Sequence, residues 1–90
     1  MANPVVFTIP VSTWVKVATA VFVGNILPIE ADGKYLYTYR MTGGAAPTNG
    51  DYSDAKELAY EGGIIQSSVA IDVYVAVTDA TDDGHVRVDL

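Results

Sequence analysis

Between residues 69 and 77 the chain reads VAIDVYVAV. Successive side chains of a β-strand point to opposite sides, so apolar β-branched residues at every second position are the pattern of a strand with a buried face. Val69, Ile71, Val73, Val75 and Val77 make up the core-facing set, and Ala70, Asp72, Tyr74 and Ala76 the other. The same period of two recurs along the chain. VVFTI at 5–9 is closed by Pro4 and Pro10, and proline tolerates a strand end or edge but not a central ladder position. STWVKVAT places Trp14, Lys16 and Ala18 on one face and Thr13, Val15 and Val17 on the other, and AVFVG continues that strand or begins the next. KYLYTYRM sets Tyr35, Tyr37, Tyr39 and Met41 against Lys34, Leu36, Thr38 and Arg40. GIIQSS before the valine-rich stretch and HVRVDL at the end read as strands too.

Turn chemistry separates these segments. Gly24-Asn25 and Asp32-Gly33 are hairpin signals, since glycine accepts positive φ. DATDDG is a tight acidic turn, and TGGAAPTNGDYSDAKE is a connection far longer than the usual ~4–6 residues. One short helical turn is expected at most, beginning at Ser53, whose hydroxyl can cap the first amides. Six to eight short strands in 90 residues predict an all-β fold, a small antiparallel sandwich or barrel, with residues 1–90 as a single domain.

Composition narrows the function. Eleven acidic residues against five basic ones give a net charge of −6, and Lys16, Lys34, Arg40, Lys56 and Arg87 are scattered. Binding to phosphate backbones needs clustered cations, so nucleic acid is not expected as a partner. No stretch approaches the ~20 apolar residues of a membrane span, and MANPVVFTIP lacks the basic flank and long apolar run of a secretory signal. The 90-residue chain has no cysteine, so neither disulfides nor thiolate metal sites hold it together. A domain of this size buries only about two-thirds of its unfolded surface, which leaves a thin margin of stability.

Chemistry-bearing clusters are sparse. His85 is the only histidine and has no visible triad or metal partner. Asp51 with Asp54, Asp82 with Asp83, and Glu57 with Glu61 are carboxylate pairs, but they lie in solvated turns and not across a cleft. TDATDDG lacks the spacing and closing glutamate of an EF-hand loop. MTGGAAPTNG lacks the spacing of a phosphate loop. The expectation is a non-enzymatic protein without cofactor or metal.

Asp72 admits two readings. Its face is open to water, or it is covered by a loop or subunit and must then be paired, with Arg40 or with loop backbone N–H groups. In the second case an Arg40–Asp72 contact would fix strand register and anchor the long loop. Candidate interface residues fall in three places. The proline-flanked strand Val5, Val6, Phe7, Thr8 and Ile9 is a candidate edge for pairing with another chain. The connection from Thr42 to Asp54 contributes Pro47, Thr48 and Asn49. Tyr52 and Tyr60 flank the acidic segment as contact residues if Tyr35, Tyr37 and Tyr39 line the core; were those three exposed on one flat face instead, they would suit a small carbohydrate-binding module.

The run YLYTYRMTGGAAPT, the acidic DYSDAKEL, then IDVYV and the terminal HVRVDL resemble small tailed-bacteriophage virion proteins, with STWVKVAT as an earlier echo. These are short, acidic, cysteine-free β-proteins that dress the head or neck of the particle. The resemblance implies a capsid decoration or cement protein, made in the host cytoplasm and located in the virion. It would bind the major capsid protein or another virion protein, as a homo-oligomer on the particle. A neck or tail adaptor, or a fibre base, is the alternative position. No catalytic residues come with the resemblance.

Overall fold

A computed structural model of the protein describes residues 4–29 and 33–90. Its strands are β1 (Val5–Ile9), β2 (Val15–Pro28), β3 (Lys34–Met41), β4 (Lys56–Glu57), β5 (Gly63–Thr78) and β6 (Gly84–Asp89). They pair antiparallel into one sheet in the order β1-β6-β2-β5-β3-β4. The all-β expectation holds, and β1 and β3 have the bounds that their alternation and flanking residues suggest.

Two long strands make two layers out of this one sheet. The first half of β2 pairs with β5 around Val15↔Val75 to Val21↔Ile71, and the second half pairs with Val23↔Gln66 to Ile26↔Gly63. The register slips three times along the way, between Lys16 and Ala18, between Ala18 and Val21, and between Val21 and Val23. Such bulges bend a strand and increase its twist, so the sheet folds over at residues 19–22 of β2 and 67–70 of β5. One layer then holds β1, β6, the second half of β2 and the start of β5, and the other holds the first half of β2, the rest of β5, β3 and β4. Ile9, Ile26, Ile65, Val86 and Val88 from the first layer pack against Val17, Ile71, Val73, Val75, Val77 and Tyr35 from the second in one buried cluster. After β1 the chain bridges Val11 to Val77, and the Ser12 N–H donates to the Val77 carbonyl at 2.9 Å, which fastens one layer to the other.

Several local expectations are corrected. Gly24 and Asn25 are no turn but lie inside β2. Glycine is needed at 24 because the chain end crosses it: a Cβ there would lie 2.8 Å from Leu90 Cδ2 and 3.0 Å from the Asp89 carbonyl. GIIQSS and the valine-rich stretch are one strand, interrupted only by the bulge, where the Ser67 hydroxyl donates to the Val69 carbonyl at 2.7 Å. Val69 sits at that bulge and is exposed, outside the core set it was expected to join. In β2 the extra residue Val17 shifts the phase, so Ala18 enters the core beside Val17 and not the face of Trp14 and Lys16. No helix occurs among the described residues; the Ser53 N–H donates to Asp51 Oδ1 at 3.1 Å, and the chain goes on to pair as β4. Asp32 and residues 1–3 lie outside the described residues, so the turn expected at Asp32-Gly33 is seen only through Gly33, whose φ is 86°.

The crossing at Gly24 yields a test. Gly24→Ala should destabilise by about 1–3 kcal/mol in urea unfolding, as overpacking does, although alanine is ordinarily better than glycine in a strand. An unchanged or raised stability would show that the chain end moves aside.

Candidate functional site

The tyrosine-bearing face of β3 turns inward. Tyr35 is 1% exposed, and Tyr37 and Tyr39 are half-buried against the same cluster, with their rings 5.5 Å apart. The Tyr35 hydroxyl accepts the His85 N–H at 3.2 Å, which ties β3 to β6 across the sandwich. Met41, expected to share this face, is exposed at the strand end.

The opposite face of β3 and β5 is covered as well. Trp14, Leu36, Tyr74 and Ala76 form a second buried cluster, with Tyr52 and Ala55 of the long connection packed on it. The connection is bound to this face at both ends. The Trp14 backbone N–H donates to Asn49 Oδ1 at 2.9 Å, and its indole Nε1–H to the Asp51 carbonyl at 3.1 Å. The Tyr52 ring lies 5.6 Å from that of Trp14. Tryptophan suits such a place because one end packs and the other needs an acceptor. Pro47, expected as a contact residue, is buried instead under the connection, while Thr48 and Asn49 remain exposed.

Asp72 lies on this covered face, only 2% exposed. Thr19 and Ala20 of β2 stand where the register gives one residue, Asp72, on β5. Ala20 is in the left-handed region, with φ of 54°, so its amide leaves the ladder. That amide donates to Asp72 Oδ1 at 2.9 Å, the Thr42 hydroxyl to the same oxygen at 3.2 Å, and Lys16 Nζ lies 3.6 Å from Oδ2. The Ala20 N–H foremost, then the Thr42 hydroxyl and the Lys16 charge, hold the carboxyl below the ordinary aspartate range against the opposing effect of burial. Lys16 also stands over the Tyr74 ring, 5.9 Å from its centre.

The expected Arg40–Asp72 ion pair is not made, although the two residues are register partners. Arg40 reaches the other way: its Nη1 donates to Asp54 Oδ2 at 2.8 Å, the Tyr39 carbonyl at 3.0 Å and Thr38 Oγ1 at 3.1 Å. The physical reason is local. The bulge amide and Thr42 already saturate the near oxygen of Asp72, and the connection delivers Asp54 to Arg40 as a more accessible acceptor. Arg40 thus does anchor the connection, from the far end and through a different carboxylate. No spacing signal pointed to Ala20, since alanine is a poor marker of a left-handed bulge. Lys16 was on the face of Trp14, but only the pairing of β2 with β5 brings it to Asp72.

The edge strand is only partly a surface. Ile9 is fully buried, so its side chain is no surface contact, and Phe7 is half-buried, because both lie on the inward side of a two-sided strand. Val5, Val6 and Thr8 are exposed. Tyr60 is exposed too, and its hydroxyl donates to the Gly33 carbonyl at 2.6 Å. No group of three or more His, Cys, Asp or Glu among the described residues is placed to hold a metal ion. Two depressions of about 420 and 450 Å³ run along Asn25, Ile64 and Asp89 in the other layer, away from Asp72. Comparison with known protein families, with curated proteins and with solved structures returns no match.

The arrangement around Asp72 positions backbone. Asp72→Ala should lower the melting temperature by roughly 5–15 °C at pH 7, from the loss of the charge-assisted bond to the Ala20 amide. Asp72→Asn, which keeps an oxygen acceptor, should lower it less. Because the folded carboxyl titrates lower than the unfolded one at about 3.9, its stabilisation is complete above that range and lost as pH falls through the folded value. The gap between wild type and Asp72→Ala should therefore be flat from about pH 5 to 8 and narrow below about pH 4. A gap independent of pH down to acid unfolding would contradict the assignment.

Proposed function

We propose that the protein is a non-enzymatic structural component of a tailed-bacteriophage particle, of the kind that decorates and cements the outer shell. The observation that carries this reading is the long connection from Thr42 to Asp54. It has its own small core under it and is tied to the sheet by Trp14, Arg40 and Thr42, so it offers a partner a fixed shape with Thr48 and Asn49 outward. A preformed loop loses less entropy on docking than a mobile one. A net charge of −6 is compatible with the outside of a shell and unfavourable for contact with the packaged nucleic acid. The residue pattern that resembles virion proteins supplies the particle, and the loop supplies the contact.

The carbohydrate-binding alternative needs Tyr35, Tyr37 and Tyr39 exposed on one open face, and they pack against the core. The neck, tail-adaptor and fibre-base positions use the same surfaces as a shell position, and copy number separates them. Quantitative mass spectrometry of purified particles from the source of this chain should find it in proportion to the major shell subunit. Presence at only one vertex would favour the adaptor reading. Absence from the particles would overturn the proposal.

A further inference from the structure

The open edge of β1 has a direction that can be worked out from its neighbours. The Ile29 N–H donates to the His85 carbonyl at 2.9 Å, so the backbone groups of His85 and Arg87 point from β6 toward β2. In an antiparallel ladder these groups alternate along the strand, so those of Gly84, Val86 and Val88 point toward β1. Their register partners are Ile9, Phe7 and Val5. The N–H and C=O groups of Val6 and Thr8 therefore point away from β6, to the edge, where no other strand pairs with them among the described residues. The side chain of Val6 is 57% exposed and that of Val5 51%.

Pro4 and Pro10 share the parity of Val6 and Thr8, so at both flanking edge positions the donor is missing. The Pro10 carbonyl already accepts the Thr13 N–H at 3.2 Å. What remains is a pattern symmetric about Phe7. The geometry points to a second copy of this chain as its occupant: two β1 strands pair antiparallel across a twofold axis at Phe7. Val6 meets the second copy's Thr8, and Thr8 its Val6, so each pair exchanges two hydrogen bonds. Pro4 then faces Pro10, and neither copy presents a donor that the other cannot meet. An unrelated strand running past this edge would find a donor missing at each end.

Charge agrees with this pairing. The strand itself carries none, and its register partners on β6 include His85 and Arg87. Phe7 and its symmetry mate adjoin on the inward side, beside the core that already half-buries each ring. Five residues a side fall well short of the ~1,600 Å² of a stable interface, so the dimer is reversible, forming at about 0.1–1 mM. It belongs to the protein in solution and stands whether or not a particle is its destination.

The test uses the whole chain. Sedimentation velocity up to about 1 mM should show a monomer–dimer equilibrium, and amide exchange should slow at Val6 and Thr8 as concentration rises. Val6→Pro removes one edge-facing donor without touching a bond to β6, and an outward-facing edge position tolerates proline. It should weaken the dimer at least about tenfold while the monomer keeps its β-sheet circular dichroism. If Val6→Pro does not fold, the wild-type exchange measurement decides alone. A wild-type chain that stays monomeric at about 1 mM, Val6 and Thr8 amides indifferent to concentration, or a dimer unweakened by Val6→Pro would each overturn the pairing.

Discussion

The bond from the Ala20 amide to Asp72 Oδ1 is the contact on which the geometry of the sandwich turns. A sheet that folds into two layers must bend its long strands, and a bend in an antiparallel pair leaves backbone groups without ladder partners. Left without a partner in a part-buried place, such an amide is costly. Asp72 answers the amide at the bulge of β2 with a charged acceptor and takes the Thr42 hydroxyl with the same oxygen, so one side chain fixes both the bend and the start of the long connection. The Ala20 conformation, left-handed at φ of 54°, persists in a non-glycine residue because this contact and the packing around it specify it.

From that bend follows the division of the molecule into two faces of β5. The odd residues Ile71, Val73, Val75 and Val77 fill the space between layers, and the even residues Asp72, Tyr74 and Ala76 face the connection. Burial on both faces is why this segment is so densely apolar, a composition more usual for a fully covered strand than for one with a wet side. Trp14 and Arg40 then hold the connection from two sides, one by packing and hydrogen bonds, the other by a partly exposed ion pair that contributes little alone.

Much of this was legible in the residues. Alternation identified the strands, prolines bounded β1, and the tyrosines of β3 fell together on one face. The misreadings share one cause: bulges have weak local signatures. Val17 and Ala20 carry nothing that marks them as extra residues, so the phase of β2 was carried past them unbroken, and Ala18 was placed on the wrong face. Gly24 was read as a turn because a glycine next to asparagine usually is one, whereas its reason is the crossing of Leu90, a contact distant in sequence. Arg40 was matched to Asp72 on charge; the path of the connection, which brings Asp54 to Arg40, decides otherwise.

The covered face and the uncovered edge divide the work of the surface. One holds a shaped loop in place, the other leaves a short, proline-bounded ladder open. The bend at Ala20 closes the sandwich, and the direct pairing of β3 with β5 brings Thr42 to Asp72. The direct measurement is a pH titration of the backbone amides by ¹H–¹⁵N correlation spectroscopy between about pH 2 and 7. The Ala20 amide should move with a single carboxylate midpoint that lies below the ordinary aspartate value of about 3.9, because it reports the group it bonds. An Ala20 amide that does not titrate, or one that follows a midpoint at or above that value, would contradict the account.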